Sequence, residues 1–132
     1  NYVGPQRRMK IKVIKNDIFI DDYAHQPEQM NEVLSFINRV KEDRETILFY
    51  KPDRISRLLD FKNEFVKAFN KFDKVYLIPY HDINEGILKE LISEKVNLYS
   101  KLKIDKDKRY VFAFLTSKSI IREIEQIKDL RK

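Results

Sequence analysis

Hydrophobic and polar residues alternate at the start of the chain in the pattern of β-strands. Met9, Ile11 and Val13 alternate with Lys10 and Lys12, and a second apolar run follows at residues 18–20. Asn and Asp at positions 16 and 17 separate the two runs and favour a turn. The pattern therefore predicts a hairpin or two closely spaced strands.

Helical and buried-strand patterns then follow one another to the end of the chain. Four segments are predicted to be helices: residues 27–40, 55–72, 83–92 and 120–130. The second of them is expected to bury one face made of Leu58, Leu59, Phe61, Phe65, Ala68 and Phe69. Four short apolar runs are typical of buried strands: residues 46–50, 74–78, 96–99 and 110–115.

This alternation predicts the fold class and the place of a ligand site. We expect a single α/β domain with a mostly parallel sheet of about six strands, an antiparallel opening strand and helices on both faces. The strands at residues 47–50 and 75–78 should be neighbours. Ligands of such sheets bind beyond the carboxyl ends of the strands. The residues that follow Ile20 and Phe49 are therefore the candidates for a ligand-binding or catalytic site.

The absence of cysteine excludes a disulfide framework, a thiolate metal site and a cysteine nucleophile. The longest apolar runs are too short to span a bilayer, and no signal-peptide pattern opens the chain. We therefore expect a cytoplasmic domain with no membrane partner. Because the 132 residues begin on Asn1 rather than Met, we also expect a fragment of a longer protein.

The formal net charge of +6 does not by itself indicate nucleic acid. Basic residues alternate with acidic ones, as in Lys-Glu-Asp-Arg-Glu at residues 41–45, which is typical of a solvated surface. A nucleic-acid reader more often shows a one-sided basic stripe. A basic domain that associates with nucleic acid is an alternative that only the charge favours. We expect no nucleic-acid partner.

Residues 21–27, here called the first motif, read Asp-Asp-Tyr-Ala-His-Gln-Pro. They place two carboxylates, a phenol and an imidazole between a buried strand and a helix. The carboxylates can contact hydroxyl or ammonium groups, and Tyr23 can stack on a ring or donate a hydrogen bond. Alternatively, Asp21 or Asp22 caps the turn and His25 satisfies a backbone group.

Residues 51–57, here called the second motif, read Lys-Pro-Asp-Arg-Ile-Ser-Arg. Pro52 suits the first position of a helix, which places Arg54 and Arg57 one turn apart near its N-terminus. Two guanidinium groups beside unpaired backbone N–H groups form a site for a carboxylate or a phosphate. The alternative is a solvated pair that Asp53 neutralises.

Together the two motifs resemble the Mur ligases, most of all the UDP-N-acetylmuramate–L-alanine ligase branch. The first motif matches six of the seven positions of that branch's Asp-Asp-Tyr-(Gly/Ala)-His-His-Pro loop, with Gln26 in place of the second His. The branch then carries Phe-Gln-Pro-His-Arg-Tyr-(Ser/Thr)-Arg. This chain keeps four of those positions: Pro52, Arg54, Ser56 and Arg57. The departures there are Lys51, Asp53 and Ile55.

Weaker likenesses cover residues 4 to 86 and then fade. Residues 4–9 resemble the family's Gly-x-x-Arg-Arg-Phe, residues 72–75 its Ala-Asp-x-Val, and residues 80–85 its Tyr-x-Ala-x-Glu with one residue inserted. After the last strand the family usually has a Gly-Ala-Gly turn. Here residues 115–118 read Leu-Thr-Ser-Lys instead.

The resemblance implies the Rossmann-like C-terminal domain of a three-domain ligase of peptidoglycan precursor synthesis. In such an enzyme ATP phosphorylates the sugar-bound carboxylate, and the amine of the amino acid attacks the acyl phosphate. The implied partners are UDP-N-acetylmuramate, L-alanine and ATP. ATP and Mg would be bound mainly by the missing central domain, since this chain has no Gly-x-x-x-x-Gly-Lys-(Ser/Thr) loop and only two histidines. No cofactor, metal site or catalytic residue is expected on this chain, and the isolated chain should be inactive.

The resemblance also implies which side chains line the amino-acid or nucleotide side of the cleft: Tyr23, His25, Arg54 and Arg57, with Asp22 orienting them. The planar guanidinium groups suit the carboxylate of an amino acid. Lys51 and Asp53 join this set on weaker grounds. The alternative is a Rossmann-like module that binds a ligand or a partner without ligase activity.

Overall fold

The computed structural model describes residues 9–22, 27–50, 59–78, 96–116 and 119–132. Along the chain these form β1 (Lys10–Ile14), β2 (Asp17–Asp22), α1 (Pro27–Val40), β3 (Glu45–Tyr50), α2 (Lys62–Phe69), β4 (Lys74–Leu77), β5 (Val96–Leu98), a 3-10 turn (Tyr99–Lys101), β6 (Tyr110–Leu115) and α3 (Ile121–Arg131). The helix predicted at residues 83–92 lies outside the described residues.

The six strands form one sheet in the order β1-β2-β6-β3-β4-β5. β1 and β2 are antiparallel, and the other four strand pairs are parallel. The predicted sheet is therefore confirmed, including the neighbouring positions of β3 and β4, where Leu48 is opposite Val75. β6 comes last along the chain but lies between β2 and β3.

The hairpin turn lies one residue earlier than the sequence predicts. Ile14 is paired with Asp17, so Lys15 and Asn16 form the turn and Asp17 already belongs to β2. Lys15 has a φ of 56°, in the left-handed region. Two-residue hairpin turns of the primed types need that conformation because it matches the twist of the two strands.

Helices cover both faces of the sheet, as predicted. Alternate residues of a strand point to opposite faces. On β6, Val111, Ala113 and Leu115 belong to the core layer that contains α1 and α2. The remaining β6 residues belong to the second layer, which α3 and part of the segment 99–104 cover: Tyr110, Phe112 and Phe114. Among the described residues, no helix is long and apolar enough to cross a membrane.

The predicted buried face of the helix at residues 55–72 is partly wrong. Phe65, Ala68 and Phe69 are buried, but Leu59 and Phe61 are exposed. Phe61 has a φ of −115° and a ψ of 33°, so it lies outside the helical conformation and α2 begins after it. The helical spacing counted through residue 61 therefore does not correspond to one continuous face.

An ion pair between the partly buried Arg131 and the buried Asp17 holds α3 against the hairpin. Arg131 donates from Nε to Oδ2 of Asp17 at 2.9 Å and from Nη2 to Oδ1 at 2.6 Å. The two side chains are 16% and 5% exposed. Oδ1 of Asp17 also accepts the backbone N–H of Tyr110 at 3.0 Å, and the guanidinium lies 5.3 Å from the centre of the Tyr110 ring. Arg131 further donates to three backbone carbonyls: Asp105, Lys106 and Lys108.

Candidate functional site

The carboxyl ends of β2, β6 and β3 lie side by side at one edge of the sheet. Leu115 of β6 is in register with Asp22 of β2 on one side and with Tyr50 of β3 on the other. Neighbouring strands lie about 4.8 Å apart, so Asp22 and Tyr50 are roughly 10 Å from each other. The two motifs therefore leave the sheet at the same edge, on either side of one strand.

Asp22 is a strand residue rather than a loop residue, because β2 extends to it. It is 2% exposed and lies at the end of the strand that carries Ile18 and Ile20 into the core. The other predicted site residues lie outside the described residues: Tyr23, His25, Lys51, Asp53, Arg54 and Arg57. Of the predicted site residues, the structure therefore describes Asp22 alone. The orienting role of Asp22 stays a prediction.

Asp21 lies opposite Lys10 of β1 and is partly exposed. Partial burial raises the pKa of its carboxyl above the ordinary value of 3.8, because the charged form loses hydration. The positive charge of Lys10 works against this rise, and the negative charge of Asp22 adds to it. The carboxyl edge therefore carries an acid whose ionised form the fold disfavours.

Asp21→Asn is expected to stabilise the isolated chain at pH 7 but not at low pH. Since the folded-state pKa of Asp21 is raised, its ionisation costs stability, and that cost appears as the pH rises from the unfolded pKa of about 3.9 through the folded one. Thermal unfolding at pH values from about 3 to 7 would show the difference from wild type shrinking in acid.

Asp43→Asn is the control for Asp21→Asn, because it should change the stability at neutral pH in the opposite direction. The hydrogen bond from Arg109 lowers the pKa of the exposed Asp43 carboxyl. Its ionised form therefore contributes stability that is present at neutral pH and is lost as the pH falls. A stability difference for Asp21→Asn that is the same at every pH would contradict the assignment.

Two backbone hydrogen bonds prolong the sheet at this edge. The N–H of Thr116 donates to the carbonyl of Asp22 at 3.2 Å, and the N–H of Ile78 donates to the carbonyl of Tyr50 at 2.9 Å. Both donors are buried. They hold Asp22 and Tyr50, which directly precede residues 23–27 of the first motif and the whole second motif. Sequence reasoning did not include Thr116 or Ile78 in the site, because their proximity to the motifs depends on the order of the strands.

The opposite edge of the sheet carries a cleft lined by charged residues of both signs: Asp43, Glu45, Asp73 and Asp107, with Arg44, Lys74, Lys108 and Arg109. Glu45 lies 3.5 Å from Lys74 Nζ and 3.1 Å from Lys108 Nζ. The hydrogen bond to Glu45 raises the pKa of Lys108. These charges neutralise one another, so the cleft does not resemble a site built for an ion. Within the described ranges, no group of three His, Cys, Asp or Glu residues could hold a metal.

Comparison with known proteins identifies the family. The profile of the family described as "Mur ligase, glutamate ligase domain" matches residues 7–129. The chain belongs to the Mur ligase family. The resemblance that the two motifs indicated is confirmed. The match also continues through β6 and into α3, beyond residue 86, where the motif likeness fades.

Curated relatives of this Mur ligase domain are UDP-N-acetylmuramate–L-alanine ligases. The protein of Pelagibacter ubique is 41% identical over 87 residues, which cover 65% of the chain and 19% of that protein. That of Sulfurihydrogenibium sp. is 33% identical over 96 residues, covering 73% and 21%. That of Christiangramia forsetii is 25% identical over 142 aligned positions, covering 97% and 31%. The chain therefore spans about a fifth to a third of the length of these relatives.

Solved structures share the fold of this Mur ligase domain. One is a domain from Haemophilus ducreyi described as part of a UDP-N-acetylmuramate:L-alanyl-γ-D-glutamyl-meso-diaminopimelate ligase. Its TM-score is 0.56 at 16% identity, and the alignment covers 94% of this chain and 97% of that one. Another is the MurF ligase from Thermotoga maritima in complex with ADP. Its TM-score is 0.52 at 14% identity, and the alignment covers 92% of this chain and 29% of that one.

Proposed function

We propose that the chain is the amino-acid-binding, nucleotide-covering C-terminal domain of an ATP-dependent UDP-N-acetylmuramate–L-alanine ligase. The observation that carries the proposal is the departure of both motifs from one edge of the sheet, on either side of β6. The family match and the alanine ligases among its relatives support it. The enzyme would serve peptidoglycan precursor synthesis in the cytoplasm.

The two motifs would divide the recognition of the amino acid between them. Arg54 and Arg57 would bind its carboxylate with paired N–H groups. Tyr23 and His25 would line the other side of the cleft, with the buried Asp22 anchoring their segment. Asp22 and Tyr50 are separated by about two strand spacings, or roughly 10 Å. Side chains of the two motifs would therefore be able to reach one small molecule. Holding the amine near the activated carboxylate lowers the entropic part of the barrier.

ATP supplies the phosphoryl group that activates the sugar-bound carboxylate, and Mg would accompany it. The sequence has no phosphate-binding Gly-Lys-(Ser/Thr) loop, and the described residues include no group of three metal-ligating side chains. Both would therefore be bound mainly by another domain of the enzyme. The bound ADP of the Thermotoga maritima MurF ligase, which contains this fold, supports a nucleotide partner. UDP-N-acetylmuramate and L-alanine would be the other partners, with neither nucleic acid nor membrane.

The proposal predicts activity that needs the whole enzyme. The full-length protein should release phosphate only when UDP-N-acetylmuramate, ATP and L-alanine are all present. The isolated chain should neither hydrolyse ATP nor form a peptide bond, because domain closure assembles such a site. A parallel phosphate-release assay of both proteins, with glycine and L-serine as competing amino acids, tests this.

Two outcomes of this assay would contradict the proposal. Phosphate release by the pure isolated chain, abolished by Tyr23→Ala, would place catalytic groups on the chain itself. A full-length protein that binds these ligands without joining them would instead be a Rossmann-like binding module.

A further inference from the structure

We infer that a small cavity between the β1–β2 hairpin and α3 is a binding site for a small apolar carboxylic acid, such as one with a single aromatic ring. The cavity has a volume of about 190 Å³, and every residue that lines it belongs to the hairpin or to residues 127–132. It lies at the amino edge of the sheet, where β1 ends and β2 begins. The two motifs follow their strands at the other edge, so the inference goes beyond the proposed function and does not depend on it.

The inner wall of this cavity is apolar. Phe19 and Ile127 are buried members of the core layer that α3 covers, and the half-buried Ile14 packs against the same layer. An apolar cavity of about 150 Å³ is already large enough to hold a benzene ring. The cavity therefore fits a single ring or a short branched chain, and binding there removes the apolar surface of the ligand from water.

The ion pair of Asp17 with Arg131 forms a polar wall whose hydrogen bonds are already satisfied. Arg131 donates five hydrogen bonds, which equals the number of N–H groups in a guanidinium. Asp17 accepts two of these bonds and also the backbone N–H of Tyr110, so its negative charge is neutralised inside the protein. This wall therefore neither repels an anion nor offers it a free donor.

Lysine side chains supply positive charge at the mouth of the cavity: Lys15, Lys128 and Lys132. Within the described ranges, Lys15 forms no ion pair. Lys128 and Lys132 lie 3.4 Å from Glu125 and Asp129, but these pairs are exposed to solvent and contribute little. With the ion-paired wall neutral, the lining carries a net positive charge, which favours an anionic group on the ligand. The apolar interior and the basic mouth together indicate an apolar carboxylate.

The first test is a binding measurement on the isolated chain, whose study is supported by the Haemophilus ducreyi domain that was solved on its own. The probes are phenylacetate, its neutral amide and phenethylammonium, which share a ring and differ in charge. In ¹H–¹⁵N spectra, phenylacetate should shift the signals of residues 14–19 and 127–131 with a Kd of about millimolar or tighter. The amide should bind about threefold more weakly or worse, and the ammonium ion should bind most weakly. Equal affinity for the carboxylate and the amide, or no saturable shift in these residues, would overturn the inference.

Substitutions at the wall and at the mouth test the two halves of the site separately. Ile14→Trp places a larger ring in the cavity and should abolish the saturable shifts. Lys15→Glu reverses one charge at the exposed mouth and should weaken phenylacetate binding about fivefold. Lys67→Glu makes the same change of charge on an exposed position of α2, across the sheet, and should leave Kd within about twofold. Undiminished binding to Ile14→Trp, or equal effects of the two glutamate variants, would contradict the assignment.

The last test uses the full-length protein, in which another part of the chain could cover the cavity. Saturation-transfer NMR should show phenylacetate binding with an affinity within about threefold of that of the isolated chain, and Ile14→Trp should remove this binding. Binding that occurs in the isolated chain but is lost in the full-length protein would overturn the inference, because the cavity would then be an interface within the enzyme.

Discussion

On the proposed function, Arg54→Ala or Arg57→Ala in the full-length protein should raise KM for the amino acid about tenfold to more than a hundredfold, while KM for UDP-N-acetylmuramate changes little. Each charge-assisted hydrogen bond that is lost is worth about 1.5–3 kcal/mol. Arg57→Lys should recover little of the loss, because an ammonium group cannot reproduce a planar two-pronged contact with a carboxylate. Steady-state kinetics with each substrate varied in turn would measure these values.

Asp53 gives this prediction a second part. Its carboxylate is one residue from Arg54, so it can occupy that guanidinium or repel the carboxylate of the substrate. Asp53→His introduces the histidine of the branch's Phe-Gln-Pro-His-Arg pattern at this position. It should therefore lower KM for the amino acid. Arg122→Ala removes an exposed arginine of α3 and serves as the control for lost surface charge. If the two alanine variants leave amino-acid KM unchanged, Arg54 and Arg57 are a solvated helix face.

Arg131→Ala should destabilise the isolated chain by about 3–5 kcal/mol, the cost of leaving the buried Asp17 carboxylate without its cation. The substitution removes both contacts to the Asp17 carboxylate, at 2.6 and 2.9 Å, together with three hydrogen bonds to backbone carbonyls. The buried Asp17 would keep the N–H of Tyr110 but lose its cation. Urea unfolding at neutral pH, fitted with a common m-value, would give the difference.

Two substitutions separate this ion pair from a general effect of charge. Arg131→Lys should recover little of the stability, since one ammonium cannot reach Asp17 and the three carbonyls together. Arg122→Ala, on the same helix but exposed, should change stability by less than about 0.5 kcal/mol. A loss below about 1 kcal/mol for Arg131→Ala would show that the pair contributes no more than an exposed one.

The elements of this fold could be predicted from the sequence because each has its own local signal. Helical spacing after Pro27 predicted α1 with the bounds that the structure gives, and the apolar run at residues 110–115 predicted β6 with the same bounds. The alternation of strands and helices was enough for the mostly parallel sheet. The motifs were sufficient to indicate the Mur ligase family, because several polar residue types at fixed spacing rarely occur together by chance.

Other features depend on contacts between residues that are far apart in sequence. The exposure of Leu59 and Phe61 follows from a break in the helix at one residue, which spacing alone does not reveal. Arg131 and Asp17 are 114 residues apart, and neither has a local pattern that predicts the other.

The candidate site divides along the same line. The sequence by itself determined that two motifs rich in charged and polar residues follow two buried strands. This prediction requires only the local patterns of residues 18–27 and 46–57. Only the tertiary structure decided that β6 lies between those strands and that Thr116 therefore holds Asp22. A hydrophobic pattern specifies which face of a strand is buried, but not which strand lies beside it. That choice comes from packing the whole sheet against its helices.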